Sequence, residues 1–204
     1  YIDEWLAYHT LLGVEAFYLY DNESRTPLHE KLAPWFRRMP RGSLVVHDAP
    51  GQKLQMGVYG HCLERYQAEC QWIAFIDVDE FIVPKRHDSI PGMLRAYEQY
   101  AGLALNWRLF GTGGHQKQPG GLQLANYTRA LGDAPRTNDN SAHDHVKVLV
   151  DPRKPDSFFN PHLSPLRDPG QTLSPPASLP PSPPTLTPPP RPAGPLNPSP
   201  PPPN

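Results

Sequence analysis

The sequence predicts an α/β fold with a mostly parallel sheet covered by helices on both faces, followed by an unfolded tail. Three observations carry that prediction: a βαβα alternation of apolar runs and amphipathic stretches, acidic or amide residues at the ends of the apolar runs, and a lopsided proline distribution. Eighteen of the 29 prolines fall between Ser164 and Asn204. Residues 1–163 therefore read as one folding unit, large enough to bury a core, and 164–204 as a proline-rich arm sampling extended polyproline II.

Taken in order, Ile2, Trp5, Leu6, His9 and Leu12 follow the spacing of one helix face, and Gly13 stands where a left-handed cap would end it. Val14–Tyr20 (VEAFYLY) reads as a buried strand, closed by the turn residues Asp21-Asn22-Glu23-Ser24. A helical stretch over Leu28–Arg38, a short strand over Ser43–His47 and a longer helix over Leu54–Gln71 follow. Trp72–Ile76 (WIAFI) is the next strand and runs straight into Asp77-Val78-Asp79-Glu80. After Pro84 come a helix over Ser89–Tyr100 and a strand over Leu103–Trp107. A Gly-rich loop (GTGGH), a turn-rich segment over Leu131–His145 and the strand Val146–Val150 complete the body. In open sheets of this class ligands sit beyond the carboxyl ends of strands, where Asp21, Asp77 and Asn106 all lie.

Composition excludes several functions. With 19 basic and 20 acidic residues the net charge is −1, which offers no footprint for nucleic acid or an anionic membrane. No apolar run approaches the roughly 18 residues of a membrane span, so an anchor, if there is one, is expected outside this chain. Cys62 and Cys70 fall on one expected helix about 12 Å apart, too far to bridge, and read as small apolar residues.

The sharpest chemical signal is Asp77-x-Asp79-Glu80. Two carboxylates at i and i+2 on an extended backbone project to the same side and can share a cation or a sugar–phosphate ligand. Three acids behind a buried strand repel one another unless something positive sits among them, and a hard divalent cation is the usual answer. Glycosidase chemistry fits poorly, because acids so close on one strand cannot flank a glycosidic bond from opposite faces.

Four segments, EWLAYHTLLGVEAFYLYDNES, WIAFIDVDEFIVP, LALNWRLFGTGGH and ANYTRAL, resemble in this order the family 92 glycosyltransferases, and less closely family 2 enzymes. The likeness covers about Ile2 to His162. It implies a GT-A fold and transfer of a sugar, often galactose, from a UDP-sugar donor to a glycan acceptor. Carried onto this sequence, Asp77 would face the ribose or sugar, Asp79 would hold Mn2+ or Mg2+ between the two phosphates, and Asp21 would contact the nucleotide. His162 is the candidate for completing the metal shell, with His143 and His145 as rival ligands. Asn106 and Trp107 end a strand beside the expected site, where Trp107 could equally stack on a sugar or pack in the core. For a catalytic base the sequence leaves two candidates: Glu80, and His115 in the glycine-rich loop, histidine being the side chain that exchanges protons near neutral pH.

The family pattern begins with a strand carrying an Asn-Glu pair ahead of the first helix, and this strand is expected to be central and missing here. The competing expectation is therefore a catalytically incompetent glycosyltransferase body fused to a structural, wall-associated proline-rich arm. The tail resembles secreted hydroxyproline-rich proteins, and the expected location of the parent protein is the Golgi or secretory pathway. Two sequons, at Asn22 and Asn126, would permit glycosylation there, Asn126 being the expected acceptor.

Overall fold

The computed structural model describes residues 1–130 and 145–154. Helix α1 (Ile2–Leu11) is followed by β1 (Phe17–Asp21), α2 (Leu28–Lys31), α3 (Ala33–Arg38), β2 (Leu44–Asp48) and α4 (Gln55–Tyr66). Then come β3 (Ile73–Phe75), α5 (Ile90–Leu94) running into a 3-10 turn (Arg95–Tyr97), β4 (Gly102–Asn106), α6 (Gln123–Asn126) and β5 (Val146–Val150). The α/β class expected from the alternation is present.

One mostly parallel sheet is not. β1 and β2 pair in parallel, Phe17 opposite Leu44 through Asp21 opposite Asp48. The other strands form a separate sheet in the order β3-β5-β4, with β5 antiparallel to both neighbours. The physical reason lies in β5. All five of its residues are buried, so it belongs in the middle of a sheet, and it arrives after a long connection that lets it enter between β3 and β4 from the opposite direction. Alternation of elements up to β4 carries no information about that insertion.

Three expected helices also differ, the one over Ser89–Tyr100 being α-helical only over Ile90–Leu94 before it tightens into the 3-10 turn Arg95–Tyr97. The stretch Leu28–Arg38 breaks into α2 and α3, because Pro34 cannot donate a backbone hydrogen bond and is tolerated only in the first turn of a new helix. The helix expected to reach Gln71 stops at Tyr66, whose carbonyl accepts from the N–H groups of both Glu69 and Cys70 and so turns the chain towards β3. Gly13, at φ +89°, caps α1 in the left-handed conformation expected of it.

Strand β1 is buried on two faces. Phe17 and Leu19 pack with Leu44 and Val46 against Ile2, Trp5 and Leu6 of α1. Tyr18 and Tyr20 point the other way, to a cluster of Cys62 and Tyr66 from α4, Ile73 from β3, and Val146, Val148 and Val150 from β5. A third cluster joins Leu149 to Ile82, Ile90 and Leu94. Tyr18 and Tyr66 stack with ring centroids 3.6 Å apart. The two sheets are thus joined through side chains rather than through a ladder.

Helix α1 also reaches into the segment after β3. The Trp5 indole N–H donates to the Glu80 carbonyl at 2.9 Å, and the Tyr8 hydroxyl to the Ile82 carbonyl at 3.0 Å. The backbone N–H of Ile82 donates to Nε2 of His9 at 3.3 Å, while His9 Nδ1 lies 2.9 Å from the Trp5 carbonyl. An imidazole that accepts at Nε2 must carry its proton at Nδ1, so His9, 1% exposed, is held neutral and in one tautomer. Burial lowers its pKa below the ordinary histidine value, against the opposing hydrogen bond to Trp5. A depressed folded pKa gives stability that is full above about pH 6.5 and lost as pH falls toward the folded value. His9→Leu should remove part of that slope in urea midpoints measured against pH, leaving the share due to His47, which burial also depresses. It should also cost about 1–3 kcal/mol, because the Ile82 N–H is left unpaired.

Candidate functional site

Strand β3 is only three residues long, and the chain leaves it as the turn Asp77-Val78-Asp79-Glu80. The turn closes on itself, with the Glu80 N–H donating to the Asp77 carbonyl and the Asp77 N–H to Glu80 Oε2, both at 3.0 Å. Lys147 sits among the acids. It lies on β5, beside β3, and its Nζ is 2.9 Å from Asp77 Oδ2 and 3.3 Å from Glu80 Oε2. The Lys147 side chain is 4% exposed and that of Asp77 51%, so the pair joins the core to solvent. The positive partner that the acids demanded is thus a covalent part of the chain.

Burial works to discharge Lys147, and its two carboxylate partners outweigh that and hold it protonated. Burial also raises the Glu80 carboxyl above its ordinary range, against the pull of the Asp77 N–H and of Lys147. The ammonium lies 5.4 Å from the centroid of the Trp107 ring, within range of a cation–π contact. Trp107 is placed by its backbone N–H, which donates to the His145 carbonyl at 3.0 Å, and its indole N–H is buried without a partner among the described residues.

Asp77, Glu80, Lys147 and Trp107 therefore form one cluster. Asp79 stands next to it, exposed, with no hydrogen bond or ion pair among the described residues. Asn106, at the end of β4, is exposed and likewise outside the cluster. His145 packs its ring 5.2 Å from Trp107. His162 and His143 lie outside the described residues.

His115 belongs to a loop whose glycines, Gly113 and Gly114, take φ values of +66° and +93°. Its ring meets Tyr127 edge-on at 6.1 Å. That segment is tied to α1 by the Glu4 carboxylate, which accepts the backbone N–H groups of Gln123 at 2.6 Å and Leu124 at 3.0 Å. The Tyr1 hydroxyl is pushed up by its neighbour Tyr127 first, and the charge of Asp79 adds to that.

Asp21 has a different environment, at the end of β1 in the other sheet. Its Oδ1 accepts the Ser24 N–H at 3.0 Å and its Oδ2 the Leu28 N–H at 2.9 Å. Burial acts to raise its pKa, and hydrogen bonding from the Ser24 side chain first, then from the Leu28 and Ser24 N–H groups, prevails and holds the carboxyl below its ordinary range. The next residue, Asn22, gives both amide hydrogens away, to the carbonyls of Ala49 at 2.6 Å and Gly51 at 2.8 Å, and so ties together the loops that follow β1 and β2. An open cleft of about 590 Å³ lies alongside, lined by Ser24, Arg25, Thr26, Leu28, Glu30 and Lys31.

Among the described residues no three His, Cys, Asp or Glu side chains are grouped to hold a metal ion. A hard divalent cation is commonly bound through one or two carboxylates plus substrate phosphates, and the free Asp79 carboxylate fits an ion shared in that way rather than a closed protein cage. The residue that motif reading missed is Lys147. A lysine inside the apolar strand VKVLV was the available signal, because a charge at a buried position requires a partner.

Comparison with known proteins adds to this geometry. A family model described as glycosyltransferase family 92 matches residues 1–173. A glycosyltransferase family 92 protein of Arabidopsis thaliana is 32% identical over 127 residues, covering 60% of this chain and 22% of the relative. One from Ricinus communis is 34% identical over 87 residues, covering 43% and 15%. A galactan beta-1,4-galactosyltransferase of Arabidopsis thaliana is 34% identical over 110 residues, covering 49% and 21%. The chain thus spans about a fifth of the length of the curated relatives it matches. No helix among the described residues is long and apolar enough to cross a membrane.

The hydrogen bonds of Asp21 yield an expectation of their own. Asp21→Asn replaces one acceptor oxygen by a donor, so either Ser24 or Leu28 loses its partner. Stability from urea titration should fall by about 1–2 kcal/mol.

Proposed function

Since the chain belongs to glycosyltransferase family 92, we propose that it forms the donor-binding part of a metal-assisted enzyme that moves a sugar from a UDP-sugar to a glycan acceptor. Galactose is the first candidate for the sugar, because two of the relatives are galactan galactosyltransferases. The observation that carries the reading is the acid turn at the end of β3, where Asp77 and Glu80 are held in place while Asp79 is exposed and uncommitted.

In this reading Asp77 faces the ribose or sugar, and Asp79, with His162, holds Mn2+ or Mg2+. The ion, when bound, acts as a Lewis acid that neutralises the diphosphate. The indole face of Trp107 and the side chain of Asn106 border the donor, and Asp21 meets the nucleotide end. A base is needed for the acceptor hydroxyl if the reaction inverts configuration. Glu80 already accepts from the Asp77 N–H and from Lys147, which leaves His115, in its exposed loop, the less committed of the two candidates.

The setting proposed is the secretory pathway. There Asn126, which uses one amide hydrogen on the Gly120 carbonyl, would still carry one N–H after glycosylation, whereas Asn22, which uses both, would lose a hydrogen bond.

Calorimetry with UDP and Mn2+ tests the reading. The full chain should bind UDP more tightly with the metal than without it. Asp79→Asn should weaken the metal-dependent part at least about tenfold, roughly 1.4 kcal/mol. The thermal midpoint should not move, because Asp79 makes no hydrogen bond among the described residues. No binding of UDP by well-folded protein would remove the donor-site assignment.

A further inference from the structure

The donor-site reading gives Lys147 no chemical role, yet few side chains are placed so tightly. Its ammonium lies 2.9 Å from one oxygen of Asp77 and 3.3 Å from one of Glu80. Its backbone is in the central strand of the β3-β5-β4 sheet, opposite Leu105 of β4 and one residue past the end of the β3 ladder, and its ammonium is 5.4 Å from the centre of the Trp107 ring. It has little freedom to withdraw. A divalent ion shared by Asp77 and Glu80 would have to stand where the ammonium stands, and two cations in contact in a half-buried site repel strongly. Of the three carboxylates, only that of Asp79 is left without a cation among the described residues, and a lone exposed carboxylate is a poor site for an ion that normally gathers six or more oxygens.

We propose that Lys147 makes divalent-ion binding at the acid turn conditional on the nucleotide diphosphate. By occupying Asp77 and Glu80 it prevents the free protein from loading metal by itself, and it reserves Asp79 for an ion whose ligand shell is complete only with the phosphates of the donor. This rests on the reading of the turn as the donor site. Metal and nucleotide are then coupled, and the coupling is reciprocal: each raises the affinity of the other by the same factor.

The test uses the full chain as wild type, Lys147→Met and Lys147→Arg. Free Mn2+ is followed by electron paramagnetic resonance during titration with and without UDP, and folding is checked by thermal unfolding. In the wild type UDP should raise Mn2+ affinity by a factor in the usual range of about 5- to 150-fold. Lys147→Met frees two carboxylates, so its affinity for Mn2+ alone should rise at least about tenfold and the coupling to UDP should shrink by a similar factor. Lys147→Arg keeps the charge and should behave as the wild type. A merely structural lysine would lower both affinities when replaced.

A folded Lys147→Met chain with unchanged or weaker affinity for Mn2+ alone overturns the proposal. If that variant does not fold, the wild type still decides, because Mn2+ binding that is equally tight with and without UDP also overturns it. Wild type that binds UDP with Mn2+, beside a Lys147→Met chain that gains nothing, removes the role of Lys147 and leaves the donor site standing.

Discussion

The acid turn depends on helix α1. A segment leaving a three-residue strand has no ladder to satisfy its peptide groups, and buried peptide groups must find partners. Trp5, Tyr8 and His9 supply them, pairing with the Glu80 carbonyl and with both the carbonyl and the N–H of Ile82. With the peptides on either side of Phe81 pinned, its ring sits edge-on to Tyr8 at 5.1 Å and stacks on His9 at 5.9 Å. Glu80 is thereby held where its carboxylate folds back on the Asp77 N–H. The same helix holds residues 123 and 124 through Glu4, and the Trp35 indole N–H donates to Asp3. One helix therefore sets the position of the acid turn and of the segment after the glycine-rich loop.

Lys147 supplies the second constraint. Breaking a fully buried ion pair by removing one partner typically costs about 3–5 kcal/mol, and less where, as here, Asp77 is half exposed to solvent, although the intact pair contributes little net stability. Its value here is geometric, because it fixes the direction of two carboxylates that would otherwise repel. The balance of charge matters too. Three carboxylates and one ammonium leave two negative charges uncompensated, so the turn still attracts a divalent cation while denying it the two oxygens nearest the core.

How far the sequence could be read follows from which interactions are local. The periodicity of α1, its glycine stop, the strand Val146–Val150 and the acidic end of the WIAFI run all depend on neighbours in the chain, and all were legible. The sheet order was not, since the insertion of β5 between β3 and β4 is decided by burial across the whole domain. Spacing placed His9 on the buried face of its helix, but spacing cannot show that its Nε2 meets a backbone N–H 73 residues away. Three adjacent acids did announce a missing positive charge. The expectation of a metal overlooked the lysine in VKVLV because the ion pair spans 70 residues of sequence.

The acids that end strands are sorted by what holds them. Asp21 is bound by two backbone N–H groups of its own loop, a short-range arrangement that forms whenever the loop forms and needs nothing from outside. Asp77 and Glu80 are bound by an ammonium from a distant strand, so their geometry exists only once β5 has docked beside β3. Asp79 is bound by nothing described. Freedom to take a ligand thus increases from Asp21 to Asp79, in step with the loss of internal partners. An exposed carboxylate beside two that already share an ammonium is an arrangement whose stability does not require a ligand and whose charge still favours one.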